Sequence, residues 1–244
     1  MKQALLCMVI AATFSLKLFP VYAGELKIGV AQADITPDRP VALTGGRTAP
    51  ISKGVNSAVT ANVLALETLE AGKPVESAII VSCDLCVIRP GIQARFRDRV
   101  APRLPGFDTN KLFLAATHTH KGPAILPDAY DNYAGAMEPQ EYVLFLFERI
   151  AEAVVRAWES RKSGRFAWGL GHAVVAQNRR AAYANGSAQM YGRTNQPDFR
   201  GLEGYEDHTV DSLFFLGADR KPLAVAVTVP CPAQTDERGP CGWR

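Results

Sequence analysis

Long apolar runs, an excess of charge and a second cysteine pair are all missing from this chain of 244 residues. Its 27 Lys and Arg against 24 Asp and Glu leave a formal charge of +3. That balance offers no basic patch of the kind a nucleic-acid partner requires, and no such partner is expected. The five cysteines hold one CxxC, Cys83-Asp84-Leu85-Cys86, while Cys231 and Cys241 form no matching pair. A four-cysteine zinc knot is therefore not expected. The CxxC also follows the apolar run Ala78 to Ser82 instead of opening a helix, which argues against a thioredoxin-like motif. Buried thiols, or one or two disulfides formed after export, are the expectation. No internal repeat, low-complexity segment or interdomain linker divides the chain.

The first 23 residues read as a secretory signal. Met1-Lys2 is a short positive start, Ala4 to Leu16 is almost wholly apolar, and Val21-Tyr22-Ala23 supplies a small residue for cleavage before Gly24. The apolar stretch falls short of the roughly 20 residues a membrane span needs, and Lys17 and Pro20 interrupt it. An uncleaved anchor is the alternative. A secreted or periplasmic location is expected, with residues 24–244 as one domain. Loss of Lys2 and Lys17 would bring its charge to +1.

Within that domain, Leu26 to Ile35 is strand-like and closes on the turn chemistry of Asp34-Ile35-Thr36-Pro37. Asn62 to Leu69 and Ser77 to Ser82 flank Glu70 to Pro74, the pattern of a hairpin with a longer loop. Pro90 to Val100 is expected to be a helix with proline in its first turn. Lys111 to Thr117 is expected to be a strand. In Glu141 to Ser160, Val143, Phe147, Ile150, Val154 and Trp158 recur at three- and four-residue steps, the apolar stripe of a helix packed on a core. Phe166 to Ala176, Ser212 to Leu216 and Leu223 to Val229 are strand-like. This order predicts an α/β fold, a layered domain with a mixed sheet and flanking helices.

Histidine is scarce, with four in the chain, and two of them lie one residue apart in Thr117-His118-Thr119-His120-Lys121-Gly122-Pro123. Side chains at i and i+2 of a strand share a face, so a strand continued to His120 would aim both imidazoles at one space. Gly122-Pro123 then turns the chain away. Two imidazoles at the end of a buried strand suit a metal or acid–base site. Asp84 either orients a ligating histidine from behind or caps a turn. His172 reads as a satisfied sheet residue and His208 as a surface one.

Several segments together resemble the N-terminal catalytic domain of the neutral/alkaline, non-lysosomal ceramidases. They are Gly29-Val30-Ala31-Gln32-Ala33-Asp34-Ile35-Thr36-Pro37, Val81-Ser82-Cys83-Asp84, the Thr-His-Thr-His-x-Gly-Pro segment from Thr117, and Asn178-Arg179 followed by Tyr183, with Asp207 to Phe215 beyond. The resemblance implies zinc-dependent hydrolysis of the amide of ceramide, or of a related lipid amide, to a sphingoid base and a fatty acid. By position it implies that His118 ligates Zn2+, that His120 stabilises or protonates the substrate, and that Arg179 makes a polar contact near the reacting centre. The implied partner is a lipid amide, with peripheral membrane contact.

The chain departs from that pattern at two points. Lys121 stands where the family has serine, and Pro232 falls where its second zinc histidine belongs. The resemblance therefore implies an incomplete ceramidase-type catalytic domain with one matched ligand, and weak zinc retention is expected. The alternative is a non-catalytic or truncated relative lacking a complete metal site. A barrel amidohydrolase would carry its His-x-His on the first strand, and a metallo-β-lactamase-like enzyme would follow it with x-Asp-His. The strands before His118 and the Lys121-Gly122-Pro123 after the pair count against both.

Overall fold

The computed structural model describes residues 24–46, 48–128 and 135–232. The secretory segment at 1–23 and the tail from Thr235 lie outside the described residues. Ten strands and two helices follow in order: β1 (Glu25–Asp34), β2 (Thr60–Glu70), β3 (Lys73–Cys83), α1 (Pro90–Val100), β4 (Leu112–Ala116), α2 (Pro139–Glu159), β5 (Lys162–His172), β6 (Arg180–Tyr183), β7 (Ala188–Met190), β8 (Phe199–Leu202), β9 (Thr209–Gly217) and β10 (Pro222–Thr228). Seven strands form one sheet in the order β10-β9-β5-β1-β2-β3-β4, and β7-β6-β8 form a small second one. Every pairing in the large sheet is antiparallel except β3 with β4, which α1 connects. The fold is the mixed α/β arrangement that the order of apolar runs predicts.

Both helices begin with proline at a position where its missing N–H leaves no bond unmade. The stripe on α2 is buried as its spacing requires, with Val143, Phe147, Ile150 and Val154 each at most 4% exposed. It packs with Phe96 of α1 against Val63, Ala65, Ile79, Val81, Leu112 and Leu114 of the sheet. Tyr142 is also fully buried, and its hydroxyl donates to the Ile35 carbonyl at 2.7 Å. At the other end of α2 the helix lies directly on β1. A Cβ on Gly29 would sit 1.8 Å from the Ala157 carbonyl oxygen, so only glycine permits that approach. Arg161, just past the helix, closes the corner by pairing with Glu67 of β2 at 3.1 Å, with both side chains largely buried.

Two boundaries differ from the sequence expectation. The β2–β3 connection is a two-residue turn, with Ala71 at φ 49° and Gly72 at φ 76°. Two successive left-handed residues match the twist of the flanking strands. Lys73 and Pro74 therefore belong to β3, where a register shift beside Leu69 absorbs the extra residue. β4 pairs only from Ile79 onward, so Pro74 lies on a free edge, where proline is tolerated. β5 starts and stops four residues earlier than its apolar run. Pairing of Lys162 to Gly164 with β1 starts it, and after His172 the chain leaves the ladder.

The face of the sheet away from the helices is thinly covered. Ile28, Leu64 and Phe215 form a small cluster there. In β5 and β9, Phe166, Trp168, Leu170 and Leu213 on that face are 61, 70, 54 and 41% exposed. On the opposite face of the same strands and β10, Phe214, Val225 and Val227 are 40, 49 and 57% exposed. This end of the sheet is apolar on both sides, the pattern of strands buried on both faces.

Candidate metal centre

The site grows from two parallel strand ends. Cys83 pairs with Ala116 at the last rung of β3 and β4, and the Thr117 N–H extends the ladder by donating to the Cys83 carbonyl at 2.9 Å. Asp84 ties a third strand to this edge. Its Oδ2 accepts from the Thr60 N–H at 3.0 Å and the Thr60 hydroxyl at 2.8 Å, and its Oδ1 accepts from the Thr117 hydroxyl at 3.4 Å. Asp84 therefore links neighbouring strand ends instead of capping a turn of its own, and its carboxylate is engaged by Thr60 and Thr117. It braces the strand ends, and the His118 imidazole is oriented by another group.

That group is the backbone at Cys86. Nδ1 of His118 lies 2.7 Å from the Cys86 carbonyl, which can only accept, so Nδ1 carries the proton and Nε2 keeps its lone pair. His120 presents its own Nε2 to that of His118 at 3.4 Å, with ring centroids 5.0 Å apart and planes at 70°. The imidazoles do converge, but not by strand alternation. β4 ends at Ala116, and His118 adopts a left-handed φ of 59°. A turn folds the two rings together, with His118 in a left-handed conformation that is uncommon for non-glycine residues and that histidine takes more readily than most.

A loop forms the wall behind His120. The Thr44 N–H donates to the Gly122 carbonyl at 3.1 Å, and the Ala124 N–H donates to the Ala42 carbonyl at 2.8 Å, so residues 42–44 run beside 122–124. Gly45 then passes against the imidazole at φ 109°, and a Cβ there would lie 2.2 Å from Cγ of His120. Backbone and ring occupy adjoining volume that no other residue type leaves free.

Cys86, which the sequence marks only as half of the CxxC, has its thiol in this cluster. Cys86, His118 and His120 each offer a ligand atom, and the three atoms lie within 4.8 Å of one another. Burial raises the Cys86 thiol pKa, and a hydrogen bond with Thr44 works the other way. Cys83 behaves differently. It is fully buried in the core, and desolvation, aided by Asp84, pushes it up to about 12. Cys83, Cys86 and Cys231 are all free, as the buried-thiol reading of the CxxC expects and its disulfide alternative does not.

Arg179 is not brought to the pair. β5 runs antiparallel to β1, so its His172 end leaves the sheet opposite the edge that carries His118. The chain then enters the small sheet, where the Arg179 guanidinium donates to the Tyr191 hydroxyl and lies 4.9 Å from that ring's centroid. Pro232 follows β10 at this same far end, where the Cys231 thiol meets the Val175 carbonyl at 3.4 Å. His172 is exposed at the end of β5, and His208 faces Glu206 at 3.7 Å. The apolar hollow of about 290 Å³ between Leu26, Leu66, Phe166, Leu213 and Phe215 also lies away from the histidines, toward the β2–β3 turn.

Two nitrogens held 2.0–2.1 Å from one tetrahedral ion stand about 3.3–3.4 Å apart. The observed 3.4 Å between the Nε2 atoms meets that spacing, and one of the two lone pairs is already directed by an N–H···O=C bond on the far side of its ring. The donor set therefore fits a divalent transition metal.

Comparison with known proteins bears on the fold of the chain. No protein-family model matches the chain. Neutral ceramidase of Pseudomonas aeruginosa is 26% identical over 222 residues, covering 86% of this chain and 30% of the relative. The crystal structure of that neutral ceramidase superposes with a TM-score of 0.64 at 22% identity, over 86% of this chain and 32% of the other. A ceramidase complexed with C2 gives a TM-score of 0.62 at 20% identity and the same coverage. The chain is thus similar to neutral ceramidase, weakly in sequence and strongly in fold, and spans about a third of the length of the relatives it matches.

Proposed function

We propose that this chain carries the metal-binding edge of a hydrolase that cleaves a lipid amide of the ceramide type. The observation that supports it is the His118/His120 pair, with its Nε2 atoms 3.4 Å apart, in a chain whose matched relative is a neutral ceramidase. His118 is the metal ligand, its free Nε2 set by the Cys86 carbonyl. His120 stands beside it, where its imidazole gives or takes a proton at the amide. Bound zinc supplies an activated water and polarises the amide carbonyl. Thr44 and the glycine loop fence the same space from one side. Arg179 enters the proposal as a polar contact for the substrate on the evidence of the Asn178-Arg179 motif alone, and its test is separate from that of the histidines.

Export through residues 1–23 and contact with a membrane surface that presents the lipid belong to the same reading. The test is release of labelled fatty acid from an acyl-labelled ceramide in mixed micelles, with zinc added back after chelation. Zinc-dependent turnover that is lost in His118→Ala and strongly reduced in His120→Ala supports the proposal. A chain that binds zinc and releases no fatty acid sinks it in favour of the second reading, a ligand-binding relative without turnover. Pro232, at the position where a second zinc histidine would fall, favours that second reading.

A further inference from the structure

We infer that the small sheet carries a binding site of its own, which takes a neutral sugar ring, free or as the headgroup of a glycolipid. The inference goes beyond the proposed hydrolase and stands or falls without it.

The site is a hollow of about 390 Å³ on the β6–β7 hairpin and the loop that leads from β7 to β8. That volume lies within the range of small-ligand pockets, about 300–1,000 Å³. Tyr183 of β6 and Gln189 of β7 line part of it, and Tyr191, Arg193, Gln196 and Asp198 line the rest, with Ser187 from the hairpin turn. A Cβ on Gly192 would stand 2.3 Å from the Tyr183 hydroxyl and 3.0 Å from the Gln189 carbonyl oxygen, so glycine lets the chain cross this close.

Unused hydrogen-bonding capacity supplies the first argument. Among the described residues, the side chains of Gln189, Arg193, Gln196 and Asp198 make no hydrogen bond or ion pair, although all four border one space. The Tyr183 hydroxyl donates to the Arg193 carbonyl at 3.1 Å, and the Ser187 hydroxyl donates to Oδ1 of Asn185 at 2.7 Å. Both oxygens keep lone pairs for an incoming donor. Each side-chain amide offers a donor and an acceptor together, which neighbouring hydroxyls on a ligand satisfy. Charge supplies the second argument. Arg193 and Asp198 are the charged groups of the lining and they offset each other, so the hollow favours neither a phosphate nor a cation.

Tyr191 supplies the third. It is 70% exposed, and its φ of 55° is an outlier for a bulky side chain. Its N–H donates to the Arg179 carbonyl at 2.8 Å, while the Arg179 guanidinium donates to its hydroxyl and lies 4.9 Å from the ring centroid. Backbone and ring are thus both held, at a position that adds nothing to the core. Strain of this kind collects at ligand clamps. An aromatic ring kept open to solvent beside hydroxyl-binding groups suits a pyranose, whose C–H face is apolar and whose edge is hydroxylated.

The test is saturation-transfer NMR on the full chain with the methyl glycosides of glucose, galactose, mannose and N-acetylglucosamine. In parallel, the chain is sedimented with phosphatidylcholine vesicles with and without glucosylceramide or galactosylceramide. Saturable binding of at least one ring is expected, with transfer strongest at its C–H protons. Tyr191→Asn removes the aromatic ring and is at ease at positive φ, so the fold is kept; it should weaken binding by about tenfold, the scale of one stacked aromatic contact. Tyr191→Phe should retain binding, and Gln189→Ala should lose about fivefold, the worth of one hydrogen bond. Sedimentation that needs the glycolipid and is lost in Tyr191→Asn assigns a lipid-borne ring, and glycoside binding without it assigns a free sugar. No saturable binding in either arm, equal binding by Tyr191→Asn, or displacement of the sugar by inorganic phosphate overturns the inference. Sugar binding without release of fatty acid from ceramide leaves this site standing and overturns the proposed activity alone.

Discussion

Replacement of Gly45 by alanine puts the geometry of the site to its sharpest test. The added Cβ would lie 2.2 Å from Cγ and 2.6 Å from Cβ of His120, far inside contact distance, and the backbone stands at φ 109°. Overpacking of this kind costs about 1–3 kcal/mol, and holding a side chain in a region reserved for glycine costs about 1–3 kcal/mol more. The two estimates add if the structure holds still, giving a loss of about 2–6 kcal/mol. If His120 swings away, the stability loss shrinks and the 3.4 Å spacing is lost instead. The assay is therefore double: thermal unfolding of the metal-free chain and cobalt affinity of the folded one. At about 2–4 °C per kcal/mol for a chain of this size, the first outcome lowers Tm by roughly 5–20 °C. The second leaves Tm nearer its starting value and weakens cobalt binding tenfold or more. A variant with unchanged Tm and unchanged affinity would show that Gly45 does not press on His120.

Further consequences follow from other contacts. Asp84→Ala removes the acceptor for Thr60 and Thr117, so a loss of about 2–3 kcal/mol in urea unfolding and weaker cobalt binding are expected together. Stability lost with unaltered binding would separate the brace from the site. Glu67→Gln leaves the largely buried Arg161 guanidinium without its charge partner and should cost about 3 kcal/mol; a shift under about 0.5 kcal/mol would refute that role. Alkaline pH should destabilise the fold. The unfolded Cys83 thiol ionises near 9.0 while the folded one holds its proton to about 12, so stability is full below pH 9 and falls above it by about 1.4 kcal/mol per unit. Tyr142, raised by burial, acts in the same direction. Urea midpoints of Cys83→Ala between pH 8 and 11 should show a shallower decline than those of the unaltered chain.

Sequence pattern located the elements that bury one stripe or one face. The 3.6-residue period of α2 and the apolar runs of β1 to β4 are local signals, and they mark their elements to within a few residues. The β6–β8 sheet escaped notice because its strands are short, polar and punctuated by glycine, so no period forms. The site was half legible. His118 and His120 advertise themselves by type and spacing, although the conformation that joins them is a left-handed turn with no sequence mark. Cys86 was passed over because its partner lies across a parallel pairing, 32 residues away, and parallel register leaves no trace in either strand. Arg179 is the converse case. Its motif is local, and its place in space is decided by the direction of β5, which the apolar run does not encode.

The sheet that is apolar on both faces at one end bears on how the molecule opens. Beneath α1 and α2, the central strands are covered on one face by the main core, and their amides should exchange with deuterium more slowly than those of β5, β9 and β10. In β5, β9 and β10, the ladder bonds are flanked by water on two sides, with aromatic and aliphatic groups giving little cover. That half of the sheet should open by itself, at a fraction of the global free energy. Hydrogen exchange read strand by strand would show a gradient from slow amides in β2 and β3 to fast ones in β10, and uniform protection would disprove it. One continuous sheet would then behave as two cooperative units, with the metal edge belonging to the unit that opens last.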